Sequence, residues 1–369
     1  MGAYRSRTRR RRYPLRRQGG RQGAYAALDL GTNNCRLLVA RPVDGGFRVI
    51  DAFSRIVRLG EGLEPGGALS DAAMDRTIDA LKVCAMKMRR RQVIRARSVA
   101  TEACRRAGNR DLFLARVRSE TGLEIEIISS IEEAKLAVAG CAPLIKREVS
   151  HALVFDIGGG STELMWVRRQ DGNGAASVIA SASLPFGVIN LSEAHGSDIV
   201  PRAVYDAMIA DVEAPLREFD ALHGIRPMIV DGAAQMLGTS GTVTTLAGIH
   251  LKLPRYDRQA VDGSYLSADA IRVVNNQLLA MDCRARAEQP CVGPARADLV
   301  LAGCAILDAI LNTWPAPGLV VADRGLREGI LHGLMGRAGL RSAEADLRTA
   351  QAGSGGGSGN GSGARPRGS

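Results

Sequence analysis

Two stretches of one kind decide how this chain reads: Ala27-Leu28-Asp29-Leu30-Gly31-Thr32-Asn33-Asn34 and Val154-Phe155-Asp156-Ile157-Gly158-Gly159-Gly160-Ser161-Thr162-Glu163. Each is an apolar strand that ends in aspartate and enters a glycine turn bearing hydroxyl or amide side chains. The two aspartates are 127 positions apart, about one domain length. Glycine lets the backbone bend so that successive N–H groups aim at one point, which suits a phosphate oxygen. A carboxylate at the strand end suits a divalent cation, held directly or through water. Three consecutive glycines exceed what a tight hairpin needs, and each costs backbone entropy. One such turn in each of two domains, facing across a cleft, would grip a phosphate chain from both sides.

Around the first turn, 25–29, 35–41 and 47–56 read as three strands with turns at Gly31 and Gly45-Gly46. Ser70 is placed to cap a helix in which Met74, Ile78, Leu81, Ala85 and Met88 recur at helical spacing. That helix ends in Arg89-Arg90-Arg91, cations that suit the negative end of its dipole and so need no ligand. A strand over 97–100, a helix from Thr101, a strand over 125–128 and a helix from near Ser130 follow. The second half repeats the plan, with a hairpin over 151–156 and 161–167 and a third strand over 178–184. Helices are expected near 201–222, bent at Pro215, and near 267–281 and 295–313, then a strand at 319–322 and a last helix at 325–336. A three-stranded meander followed by β/α units, twice, means an α/β fold of two duplicated domains. The expected division is an arginine-rich disordered arm at 1–22, domains at 23–147 and 148–324, a C-terminal helix at 325–345 packing back toward the first domain, and a Gly/Ser-rich disordered tail at 346–369.

Composition agrees with that size. The 369 residues suit two domains, and 46% apolar residues can build their cores. The net charge of +11 belongs to the ends: 1–22 holds nine arginines and no acid, the tail holds Arg365 and Arg367, and the body between is balanced. Such an arm either contacts a polyanion or is simply solvated. Seven cysteines without a C-x-x-C pair point to reduced thiols and a cytoplasmic address. Five scattered histidines argue against zinc, and no apolar run approaches the ~18 residues of a membrane span.

The chemistry concentrates in a few places. Asp156 and Glu163 flank the turn at 158–160, so strand pairing can bring both carboxylates to one Mg²⁺. Glu133 lies in Ser129-Ser130-Ile131-Glu132-Glu133-Ala134, where spacing favours a capping box, Ser130 with Glu133 or Ser129 with Glu132. The other reading turns one glutamate into the cleft as a general base. Thr101-Glu102-Ala103-Cys104-Arg105 opens a helix whose N–H groups and Arg105 could seat an anion, although Arg105 could equally be a surface residue. Gly238-Thr239-Ser240-Gly241-Thr242 is a third glycine-hydroxyl loop fit for a phosphate contact. In Asp323-Arg324-Gly325-Leu326-Arg327-Glu328-Gly329 the charges are expected to pair with one another.

In this order, Asp-Leu-Gly-Thr-Asn, Thr-Glu-Ala-x-Arg, Ile-Ile-Ser-x-x-Glu-Glu-Ala, Phe-Asp-Ile-Gly-Gly-Gly-Ser-Thr-Glu-Leu, Gly-Thr-x-Gly-Thr and Asp-Arg-Gly-Leu-Arg-Glu-Gly resemble the Ppx/GppA phosphatases over about 24–337. These are the exopolyphosphatases and guanosine pentaphosphate phosphohydrolases. The resemblance implies two duplicated actin-like, ribonuclease H-like domains facing across an inter-domain cleft. It makes Glu133 the catalytic base, reversing the capping reading, and gives Mg²⁺ to Asp156 and Glu163, with Asp29 as a third candidate carboxylate. It assigns phosphate contacts to Gly31, Thr32, Asn33, Asn34, Gly158, Gly159, Gly160, Ser161 and Thr162, and further substrate contacts to Arg105, Gly241 and Thr242. The implied reaction is Mg²⁺-dependent release of orthophosphate from the end of inorganic polyphosphate. The alternatives are 5′-phosphate hydrolysis of guanosine pentaphosphate and, in another class, a non-catalytic polyphosphate or nucleotide sensor. A homodimer and a polyanion contact through the arm are further expectations; no membrane partner is expected. The chain lacks the His-Asp pair of the long members and resembles the short two-domain ones. Ser240 stands where many relatives have glycine, and the arm is outside the family pattern.

Overall fold

Strands with apolar side chains on both faces, as at 24–30 and 151–157, take the buried inner positions of sheets. In a computed structural model, which describes residues 23–63, 67–170 and 176–336, that rule builds two of them. The arm at 1–22, the tail at 346–369 and the C-terminal helix past 336 lie outside the described residues. In the first sheet β1 (Ala24–Leu30), β2 (Asn34–Val43) and β3 (Gly46–Ile56) form the antiparallel meander. β4 (Val93–Ala100) and β5 (Glu126–Ile127) add in parallel on the other side of β1, giving the order β3-β2-β1-β4-β5.

The second sheet repeats the meander with β6 (His151–Ile157), β7 (Thr162–Arg169) and β8 (Ala176–Leu184). β9 (Ala234–Thr239) joins β6 in parallel; β10 (Tyr265–Ser267) is an antiparallel edge on β11 (Gly318–Ala322), which is itself parallel to β9. The order is β10-β11-β9-β6-β7-β8. The two sheets therefore share one topology, and the second has one more edge strand. In each, the first strand is internal and ends in its aspartate. Asp29 and Asp156 thus lie at the carboxyl ends of internal strands, where open α/β sheets bind ligands.

Ser70 caps the helix Asp71–Arg90, its Oγ accepting from Ala73 N at 3.2 Å, and Met74, Ile78, Leu81, Ala85 and Met88 are all buried. The basic end has a partner that spacing did not reveal. Asp51 on β3 takes Lys87 Nζ at 2.7 Å and Arg91 Nε at 2.8 Å. The Lys87 hydrogen bond, reinforced by Arg91, holds the Asp51 carboxyl down at about 2. A carboxyl depressed in the folded state stabilises above its unfolded pKa, and that contribution is lost as pH falls toward the folded value. Asp51→Asn should therefore cost about 1–2 kcal/mol at neutral pH, with the gap to wild type closing between about pH 4 and 2 in unfolding measurements.

Helix Arg110–Thr121 carries only Phe113, Val117 and Thr121 inward, too thin a stripe to be read from sequence. Helix Arg202–His223 is unbroken at Pro215, and the helix expected from 295 begins at Val300. The charges at 323–328 do not pair with one another as expected. Arg324 bonds Asp262, Glu328 takes Arg258 at 2.6 Å, and Asp323 takes Tyr256 Oη at 2.6 Å.

Two helices tie the sheets together. Helix Ser130–Cys141 lays Ala134, Ala137, Val138 and Cys141 on Ala152, Val154, Met165 and Leu237 of the second sheet. The last helix, described over 326–336, sends Leu326, Ile330 and Leu331 against Tyr25, Ala27, Leu38 and Ala40 of the first. They cross at glycine. A Cβ on Gly140 would lie 2.0 Å from Gly325 O, and one on Gly329 would lie 2.0 Å from Leu136 O.

Candidate active site

Both glycine turns close the same way. Gly31 N donates to Asn34 O at 2.9 Å, and Gly158 N donates to Ser161 O at 2.9 Å. The turns then meet. A Cβ on Gly159 would stand 2.9 Å from Asn33 N and Cβ, and one on Gly160 would stand 3.1 Å from Thr32 Oγ1 and Cγ2. The run of glycines is thus needed for one turn to approach the other, a reason the sequence did not display. Among the described residues, the amides of Thr32, Asn33, Gly159 and Gly160 make no hydrogen bond to the protein. Such clustered free N–H groups form an anion seat.

Asp29, Gly31, Thr32, Asn33, Asn34, Glu133, Asp156, Gly158, Gly159, Ser161, Glu163, Gly241 and Thr242 line one cleft, of about 860 Å³ with its open mouth included. Arg105, Gly160 and Thr162 are not brought to its wall. Gly160 packs on Thr32, and Thr162 spends its hydroxyl on Phe186 O at 2.6 Å. Ser161 lines the cleft, but its hydroxyl donates to Glu163 Oε1 at 2.6 Å.

The acids are unevenly compensated. Asp29 faces Arg36 across β1 and β2, whereas Asp156 faces Glu163 across β6 and β7. Like charges directly opposite in a sheet repel. Burial first, and then Asp156, raise Glu163 to about 7, even though Ser161 and Ser183 bond its carboxylate. Burial also raises Asp29 and Asp156. Asn33 and Asn34 each keep a buried Oδ1 without a partner. An acidic pair facing itself, beside two unsatisfied carbonyl oxygens, fits a hydrated divalent cation. No group of three His, Cys, Asp or Glu side chains among the described residues forms a ready-made cage. A cation that keeps waters and substrate oxygens among its ligands needs no such cage.

Glu133 enters from the first turn of helix Ser130–Cys141. The capping box expected at Ser130 is absent: Ser129 is the cap, its Oγ accepting from Glu132 N at 3.2 Å. Neither glutamate reaches back. Glu132 pairs with Arg97 at 2.5 Å, and Glu133 Oε2 takes Arg105 Nη1 at 2.7 Å. Arg105 also donates to Ile128 O and to Glu102, so it stands behind Glu133 as its holder. Burial, followed by the charge of Glu163, lifts the Glu133 carboxyl well above the usual range against the pull of Arg105.

Sequence reading missed two cations in the wall, Arg36 and Arg296. They come from opposite lobes and flank Gly241, where a Cβ would lie 4.0 Å from both Arg296 Cζ and Arg36 Nη2. Arg296 also donates to Thr245 Oγ1 at 3.0 Å; burial, then Arg36, lowers its pKa. The alternation of β2 could have flagged Arg36, opposite Asp29. Nothing local flags Arg296, which lies in a loop. Ser240 sits at φ +77°, the left-handed region glycine favours, and its side chain offsets part of the rise that burial gives the Asp156 carboxyl.

Two lobes of one topology, each ending an internal strand in an aspartate and a glycine turn and meeting over an acidic cleft, form the actin-like ATPase fold. The chain belongs to the Ppx/GppA phosphatase family, whose sequence profile matches residues 38–338. It is 30% identical over 325 residues to exopolyphosphatase 2 of Mycobacterium tuberculosis, covering 84% of this chain and 98% of that protein. It is 32% identical over 313 residues to guanosine-5′-triphosphate,3′-diphosphate pyrophosphatase of Aeromonas salmonicida, covering 85% of this chain but only 59% of that protein's length. Among solved structures, the Aquifex aeolicus member of the Ppx/GppA family matches with a TM-score of 0.70 at 30% identity, over 86% of this chain and 98% of that one. An exopolyphosphatase from Cytophaga hutchinsonii matches with a TM-score of 0.75 at 25% identity, over 84% and 97%.

Proposed function

We propose that this protein hydrolyses the terminal phosphoanhydride of linear inorganic polyphosphate and releases orthophosphate. The observation that carries this reading is the contact between the two glycine turns, whose free N–H groups stand over a cleft wall containing Glu133. The N–H groups of Thr32, Asn33 and Gly159, which line the cleft, donate to the oxygens of the terminal phosphoryl group. Glu133, fixed through Oε2 by Arg105, offers Oε1 to the attacking water, orients it in line and takes its proton. Burial raises the basicity of this carboxylate, which a free glutamate near pKa ~4.3 would lack. Arg36 and Arg296, from opposite lobes, neutralise the leaving phosphate. Mg²⁺, held by Asp156 and Glu163 with Asp29 nearby, would offset charge on the phosphate oxygens. Positioning and electrostatics supply most of the rate in such a reaction.

The near-complete length match to a relative named exopolyphosphatase 2 supports polyphosphate as substrate, against the 59% of length matched in the guanosine-named relative. The arm at 1–22 is the segment that would tether a long polyanion. The test is orthophosphate release by the full chain from linear polyphosphate, with Mg²⁺ and with a chelator, beside guanosine pentaphosphate. Mg²⁺-dependent release from polyphosphate is expected. Release from the nucleotide alone would move the chain to the alternative substrate, and binding without release of either would make it a sensor.

A further inference from the structure

The geometry points to the ion pair between Arg58 and Asp298 as a positioning latch that joins the supports of the two phosphate turns and so sets how often the cleft is closed for substrate. This rests on the reading of the two turns as the substrate grip. Arg58 Nη1 lies 2.8 Å from Asp298 Oδ2, and Nη2 lies 2.9 Å from Oδ1. Nη2 also donates to Ala295 O at 3.3 Å. This is a two-point fork with a third acceptor, and its side chains are 28% and 29% exposed. Exposed single-point ion pairs contribute little, but a guanidinium fork on a carboxylate fixes direction as well as distance.

Each partner is anchored to a different turn. Arg58 N and Val57 N both donate to Asn33 O, at 3.1 and 2.8 Å, and Gly60 N donates to Thr32 O at 3.0 Å. The loop that bears Arg58 is therefore the backing of the first turn. Arg58 itself holds φ +48°, a backbone state that residues other than glycine rarely adopt. Arg76 braces the same loop from the helix Asp71–Arg90 by donating to Val57 O at 3.1 Å. On the other lobe, Asp298 O accepts from Ser192 Oγ at 3.1 Å. Ser192 belongs to the helix Val188–His195, whose first N–H groups, Val188 N and Ile189 N, donate to Gly158 O and Gly159 O at 3.0 and 2.8 Å. The helix that carries Ser192 is thus the backing of the second turn. A weaker link, Gly62 N to Glu193 Oε1 at 3.3 Å, joins the same two segments. Asp298 also lies two residues from Arg296, so the latch steadies the loop that presents that arginine to the cleft.

If the pair sets the closed population, losing it lowers the competent fraction, and saturating substrate restores closure. KM for polyphosphate should then rise about tenfold in Arg58→Ala and in Asp298→Ala while kcat changes less than about twofold. The double variant should match either single, because both remove one interaction. Arg58→Lys, which keeps the charge without the fork, should fall between. Amide hydrogen exchange on the unliganded full chain gives a readout independent of turnover. Asp298→Ala, on the second lobe, should speed exchange at Val57, Arg58 and Gly60 on the first. Additive effects in the double variant, or wild-type exchange at 57–60 in Asp298→Ala, would overturn the latch. Should the wild-type chain release no phosphate from polyphosphate, the substrate reading fails and the exchange experiment alone decides the latch.

Discussion

Glu133→Gln should lower turnover of polyphosphate by about 10²–10⁴ and leave KM within a few-fold. The substitution keeps size and shape, and the amide oxygen still accepts from Arg105, so the helix start and its cap at Ser129 stay in place. What is lost is the capacity to take a proton from water. The change also removes a negative charge that faces Glu163, which eases repulsion in the cleft and so should not weaken binding of a polyanion. Steady-state orthophosphate release separates the two quantities. A variant that keeps more than about a tenth of wild-type turnover takes Glu133 out of the base role, because general-base loss is expected to cost far more.

Gly140→Ala and Gly329→Ala should each destabilise the fold by about 2–3 kcal/mol, a large effect for one methyl group. In an ordinary helix, alanine would gain about 1 kcal/mol over glycine. Here the added carbon would lie 2.0 Å from a main-chain oxygen across the crossing, Gly325 O or Leu136 O, and neither backbone can turn aside as a side chain could. The overlap outweighs the propensity gain, so the sign is reversed. The crossing also holds helix Ser130–Cys141, which carries Glu133 in its first turn, between the sheets. The folded fraction of these variants should therefore lose turnover as well as thermal stability. Wild-type melting of either variant would mean that the crossing is looser than the contact distances require.

The legible parts of the molecule were local. Aspartate at a strand end, a four-residue turn and a hairpin register fix Asp156 opposite Glu163 without knowledge of the rest of the chain. Helix Asp71–Arg90 was readable because its cap and its apolar stripe agree. Arg105 reads as an anion seat; its partner Glu102 lies three residues earlier in the same helix, but Glu133 comes within reach only once β5 and the following helix are in place. The choice between Ser129 and Ser130 as the cap turns on a single residue, and both spacings satisfy the rule. Arg36 and Arg296 are 260 positions apart and converge only when the lobes meet. Gly140 and Gly329 read as helix-weakening glycines until the facing backbone is known. The sequence motifs mark the cleft, while the contacts that join its two walls come from long-range packing.

Whether the two turns close on the end of a linear phosphate chain is decided by a substrate without an end. Linear polyphosphate and cyclic metaphosphate are incubated with the full chain and Mg²⁺, and orthophosphate and remaining chain lengths are followed over time. Orthophosphate from the linear substrate, shortening one unit at a time, with the ring left intact, is the predicted result. Equal cleavage of the ring, or internal scission of the linear chain into mid-length fragments, would contradict it.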